Sequence, residues 1–115
     1  MWKINLSEKC ERRLKEYSKK HRNEFVAVSD NFVSYYKTLE SGIKPPLITG
    51  GFIHKEPKGI IAIDQKGGKG KLKQTRLYIY PNDMTNTLHL ITLGDKHSQI
   101  EDIKDSVEFI TSIRV

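Results

Sequence analysis

Leu72-Lys-Gln-Thr-Arg-Leu-Tyr-Ile-Tyr80 alternates in polarity, and its reading decides the fold. A strand has a side-chain period of two, so Leu77 and Ile79 fall on one face and Gln74, Arg76, Tyr78 and Tyr80 on the other. The Leu/Ile face needs a cover. If helices supply it, Arg76 and the tyrosines look out from an open, concave side, with Arg76 mounted mid-strand. Its other reading is a salt bridge to a carboxylate of the last helix. Lys69, Lys71 and Lys73 crowd the start of the strand. Cations and aromatic faces together suit a nucleic acid, the cations for the backbone and the rings for the bases. The same lysines would also guard a sheet edge against aggregation.

Working outward, residues 59–63 read Gly-Ile-Ile-Ala-Ile, a short apolar strand, and 52–54 begin another. Residues 64–70 form a Gly/Lys-rich loop, Pro81-Asn82-Asp83 opens a turn, and 87–93 is the last strand. Consecutive strands with short turns predict a three-stranded antiparallel meander. Upstream, residues 1–6 alternate Trp2, Ile4 and Leu6 with polar positions, which predicts an N-terminal strand. Ser7 reads as an N-cap of a first helix with Cys10, Leu14 and Tyr17 in register. A second helix over 23–39 carries Phe25, Val28, Phe32, Tyr36 and Leu39, and Ser41-Gly42 ends it. Both helices are polar on their outer faces, so they should pair as a hairpin and pack on the sheet. Residues 42–51, with Pro45-Pro46, connect the two halves. Ser98 caps a final helix with Ile100, Ile103, Val107 and Ile110, and Glu101 and Asp102 suit its first turn. The expectation is a single α+β domain over residues 1–115.

The 115 residues carry a net charge of +6, and the pI is near 9.4. That balance favours an anionic partner, either nucleic acid or an acidic protein. No apolar run reaches transmembrane length, no helix combines a basic face with a broad apolar one, and the N-terminus lacks a signal-peptide core. Cys10 is the single cysteine, so no internal disulfide can form. These features predict a cytoplasmic protein with no membrane partner and a buried, unreactive Cys10.

Several residues could carry chemistry. Clustered lysines lower one another's pKa, which suits a lysine among Lys69, Lys71 and Lys73 to general acid–base work. Gly67, Gly68 and Gly70 do not make a phosphate loop, because the Gly-Lys-Ser/Thr pattern is missing and a strand follows where a helix is required. Asp95-Lys96-His97-Ser98 puts a histidine at a strand-to-helix junction, a good place for proton transfer. His21, His54 and His89 are scattered, and no spacing points to a metal site or a cofactor.

Three stretches resemble a known family. Trp2-Lys-Ile-Asn-Leu-Ser-Glu-Lys-Cys-Glu-Arg-Arg-Leu-Lys15 resembles the opening of RelE/ParE-superfamily toxins, a strand running into a capped basic helix. Gly70-Lys-Leu-Lys-Gln-Thr-Arg-Leu-Tyr-Ile-Tyr80 resembles their central strand. Leu88-His-Leu-Ile-Thr-Leu-Gly-Asp-Lys96 resembles their last strand, which ends in a Lys- or His-bearing turn. The resemblance implies the toxin of a bacterial type II toxin–antitoxin system, in its RelE-like branch a metal-independent endoribonuclease that cleaves mRNA on the ribosome. It implies a base at Lys71 or Lys73, transition-state stabilisation by Arg76, and an acid at Lys96 or His97. Lys69 would bind the RNA backbone, and Tyr78 or Tyr80 would stack on a base. It also implies a cognate antitoxin whose acidic segment covers the basic groove. The alternatives are a ParE-like gyrase poison and a non-catalytic nucleic-acid-binding module.

Overall fold

A computed structural model describes residues 1–65 and 72–113. Its elements run β1 (Lys3–Leu6), α1 (Glu8–Lys20), α2 (Arg22–Glu40), β2 (Ile53–Lys55), β3 (Ile61–Gln65), β4 (Thr75–Asn82), β5 (Thr87–Asp95) and α3 (Gln99–Ile113). The class is α+β. The five strands lie in the order β1-β5-β4-β3-β2. The expected meander is present as β3, β4 and β5, and β2 extends it antiparallel at one edge. At the other edge β1 pairs parallel to β5, Lys3 opposite Thr87 through Leu6 opposite Leu90.

The hairpin of α1 and α2 covers the Leu/Ile face of β4. Leu77, Ile79, Ile61, Ile63, Leu88, Leu90 and Leu93 pack there with Cys10, Val28, Tyr35 and Leu39. Each large apolar side chain fully buried in this way contributes about 1.5–3 kcal/mol. Tyr35 is buried while Tyr36 is only partly so. A bulge shapes this face. Tyr78 is opposite Thr92 but Ile79 is opposite Leu90, so Ile91 is an extra residue in β5. The extra residue switches the alternation, which lets Leu88, Leu90 and Leu93 all point at the hairpin. Burial pushes the Cys10 thiol up to about 12, so it stays protonated and inert.

The open, concave tyrosine face does not exist as expected, because α3 lies on it. Ile60, Ala62, Tyr78 and Ile110 form a second, smaller core with Tyr80, Ile103, Val107 and Phe109 against it. Ile100, placed in the buried stripe by its spacing, is 86% exposed. It precedes the point where α3 settles on the sheet.

Two devices hold α3 in place. Gly94 lets the helix descend: a Cβ there would sit 1.8 Å from Asp102 Oδ2, so only glycine fits. The other device is α1, which runs along the edge of β5 beyond the end of β1. The Ser7 hydroxyl donates to the Ile91 carbonyl at 2.6 Å, and Arg13 Nη1 donates to the Leu93 carbonyl at 2.8 Å. These bonds close an otherwise open sheet edge. Arg13 then reaches round to Asp102 at 3.1 Å, and Lys9 pairs with Asp105. Lys9 and Arg13 are one turn apart on α1 and so meet carboxylates one turn apart on α3.

The ends of β4 also differ from expectation. The strand starts at Thr75 and continues through Pro81 to Asn82. Pro81 is tolerated because β3 pairs with β4 only as far as Ile79, so no partner on that side needs its missing N–H. The turn falls at residues 83–86, with Asn86 in the left-handed region at φ 51°.

Candidate functional site

The side of the sheet away from the helical hairpin carries a cluster of charges at its β2–β3 edge. Asp64 of β3 is directly opposite Arg76 of β4, while His54 of β2 is opposite Ala62, one step diagonal to Asp64. Strand pleating therefore aims His54, Asp64 and Arg76 to one side. Glu56, just beyond β2, is fixed by its N–H donating to the Ile60 carbonyl at 2.8 Å.

Asp64 is 1% exposed and orients its neighbours. His54 Nε2 lies 3.2 Å from Asp64 Oδ2. An ionised carboxylate only accepts, so the imidazole donates from Nε2 and keeps Nδ1 for another partner. Arg76 Nε is 3.8 Å from Asp64 Oδ1, and Arg76 Nη1 is 3.9 Å from Glu56 Oε2. Both are ion-pair distances but too long for hydrogen bonds. Neither Asp64 Oδ1 nor Arg76 Nε makes a hydrogen bond among the described residues. The guanidinium is thus held by charge on two sides without bidentate capture. Its planar fork keeps donor capacity for an incoming anion. Arg76 and Glu56 side chains are 14% and 16% exposed and His54 is 34% exposed, so the cluster opens to solvent through the imidazole.

Tyr78 bounds the cluster from beneath α3. Its hydroxyl is pushed up to about 12, mainly by burial and further by Asp102, while Arg76 pulls it down. Tyr78 is 0% exposed and offers no face on which a base could stack. Tyr80 is half-buried, its ring centroid 6.1 Å from that of His89, and Phe109 of α3 meets His89 edge-on. Burial lowers the His89 imidazole below its ordinary value. Tyr78 departs from the expected RNA-facing role because α3 covers it, whereas Tyr80, only half-buried, lies past the last β3 partner and lines a cavity there. The partners of Arg76 also differ from the expected last-helix carboxylate, since Asp64 and Glu56 come from the neighbouring strand and the segment after β2.

A second group of functional candidates lies at the same end of the sheet. Thr75 is opposite Asp95, which brings Lys73 beside the turn that carries Lys96 and His97. Tyr17, His21 and Glu24 join Lys73, Thr75 and Asp95 around a small cleft, so the α1–α2 junction completes this pole. The Asp95 carboxylate accepts from the His97 and Ser98 N–H groups, and Glu24 accepts from the Lys73 N–H. Lys73, Lys96 and His97 are exposed. Among the described residues, no ion pair or hydrogen bond ties down these three side chains. Lys69 and Lys71 lie outside the described residues. The structure thus brings Lys73, Lys96 and His97 to one pole and sets Arg76 apart, on the side of the sheet away from the hairpin.

Sequence reading missed His54, Glu56 and Asp64. The spacing of His54 and Glu56 across a strand end, and an aspartate closing the apolar run of β3, were the available signals. Their convergence depends on strand register. No group of three or more His, Cys, Asp or Glu among the described residues is arranged to hold a metal ion. Compared with protein-family models, curated proteins and solved structures, the chain gives no match.

Proposed function

We propose that this protein is a toxin of the RelE/ParE kind that cleaves RNA, with the His54–Glu56–Asp64–Arg76 cluster as its reaction centre. The observation that carries the reading is Arg76 lying between two carboxylates with an Asp64-oriented imidazole alongside. Cleavage by the 2′-hydroxyl needs a base, an acid and a cation for the phosphorane charge. Glu56 takes the 2′-hydroxyl proton as the 2′-oxygen–phosphorus bond forms. Arg76 donates to the non-bridging oxygens. His54 gives a proton to the 5′-oxygen as its bond to phosphorus breaks, leaving a cyclic phosphate and a 5′-hydroxyl. Asp64 is a positioning residue, which holds the ring through Nε2.

In this reading Lys73, Lys96 and His97 grip the RNA backbone rather than perform the chemistry, and Lys69 and Lys71 are assigned the same task. The exposed, uncommitted side chains of Lys73, Lys96 and His97 favour polyanion binding. The order of strand, two helices and meander supports the toxin reading, since it is the order that the resemblance implies. The protein would act in the cytoplasm on mRNA held by the ribosome, and an antitoxin with an acidic segment would cover the basic pole.

Induced expression in a bacterium, with primer extension to map mRNA ends, tests this. Growth arrest with new ends inside reading frames is expected. Arg76→Lys should reduce cutting about 100-fold, because an ammonium cannot reproduce the planar fork. Arrest with intact mRNA would move the reading to gyrase. Harmless expression would leave a nucleic-acid-binding module.

A further inference from the structure

A cavity of about 730 Å³ opens beside the charge cluster. It exists because β4 outruns β3: Tyr80, Pro81 and Asn82 have no β3 partner, and the space is walled instead by the turns around it. Its apolar walls include Pro45, Pro46, Ile61, Pro81 and Met84, and Glu56 lines it as well as facing Arg76. The volume lies within the 300–1,000 Å³ common for small-molecule sites, whose pattern is apolar walls with a few placed polar groups.

The polar groups here are specific. Lys58 sits at φ 61°, in the left-handed region that a lysine rarely adopts, and so places a cation on the rim. Lys55 donates to the Pro46 carbonyl and Lys44 pairs with Asp83, whereas the Lys58 ammonium has no partner among the described residues. Asn82 Oδ1 accepts from the Met84 N–H, which leaves the side-chain NH₂ for a ligand acceptor. An apolar-walled cavity, one uncommitted cation and one carboxamide donor match a nucleotide: base, phosphate and base edge.

We propose that this cavity is a nucleotide subsite that continues the RNA path past Glu56. The base lies between the Pro45–Pro46 and Pro81–Met84 walls, Asn82 donates to its edge, and the phosphate turns to Lys58. This rests on the RNA-cleavage reading and assigns the site beside the scissile bond that would set base preference.

The test titrates the full chain with each of the four 3′-mononucleotides, followed by NMR. The chain has two methionines, Met1 and Met84, and both are highly exposed. The Met84 methyl and the Lys58 and Gly59 amides should shift saturably while the Met1 methyl stays still. Lys58→Gly removes the cation while relieving the backbone, so it should weaken binding about tenfold without lowering thermal stability. Equal shifts at Met1 and Met84, or unchanged affinity in Lys58→Gly, would overturn the subsite. RNA cutting that Arg76→Lys stops, with a silent cavity, would sink the subsite and keep the cleavage reading. A cavity that saturates in a chain that leaves RNA intact would do the reverse.

Discussion

The two faces of the sheet use the same strands differently. On the hairpin side, Leu77, Ile79, Leu88, Leu90 and Leu93 bury against Val28, Tyr35 and Leu39 in one continuous apolar layer. On the α3 side, β3 and β4 present Asp64 and Arg76, β5 presents His89, and only a small core around Ile60, Ala62, Tyr78 and Ile110 is dry. Buried charge is a weak source of stability, because desolvation offsets much of the attraction. The hairpin side should therefore hold the fold, and the α3 side should carry charge that stability alone does not explain.

The sharpest way to break that contrast is one substitution on each side of β4. Ile79 is 0% exposed, and Ile79→Ala should cost about 2–5 kcal/mol through lost burial and the cavity left behind. Arg76→Lys, three residues away, keeps a cation between Asp64 and Glu56 and should cost less than about 1 kcal/mol. Urea denaturation of both variants reads the difference. If Arg76→Lys were as destabilising as Ile79→Ala, Arg76 would be a structural ion-pair residue and the assignment of function to that side would fall.

A smaller effect is expected at the joint between the two sides. Arg13→Ala should lose about 2 kcal/mol, because the Leu93 carbonyl and the Asp102 carboxylate both lose a charged donor. Lys9→Ala should lose less than about 1 kcal/mol, since Lys9 and Asp105 are both partly solvated. Hydrogen exchange should show α3 amides opening sooner in Arg13→Ala while β4 and β5 stay protected. Equal opening throughout would mean that α3 and the hairpin form one cooperative unit.

This division explains how much the sequence disclosed. Local period was enough for α1, α2, α3 and the meander, because each element signals its own buried face. The polar outer faces of α1 and α2 correctly predicted a hairpin packed on the sheet, and it covers the Leu77/Ile79 face. What period cannot show is which second element covers the other face, so Tyr78 was expected in the open although α3 buries it. The parallel placement of β1 and the Ile91 bulge are matters of pairing, with no local signal. Of the proposed reaction centre, only Arg76 is singled out by the sequence. His54, Glu56 and Asp64 are 12–22 positions away from it in sequence, and only the register of β2, β3 and β4 brings them together.

The subtlest test of the contrast is a pH slope at Asp102. The carboxyl is fully buried above Gly94, and burial raises it above the ordinary 3.8. The Ser98 hydroxyl, Arg13 and Lys9 pull the other way, and Asp105 adds to the rise. With the upward direction prevailing, the folded chain binds this proton more tightly than the unfolded chain does. The resulting contribution to stability is complete below the unfolded value and is lost as pH rises through the folded one. Asp102→Asn keeps the shape and cannot titrate. In urea titrations from about pH 3 to about pH 7, the stability of the native chain relative to this variant should therefore fall with pH and then level off. A difference that instead grew with pH would mean that Arg13 and Lys9 outweigh desolvation. Ionised Asp102 would then stabilise the docking of α3, and charge on that side of the sheet would be helping to hold the fold.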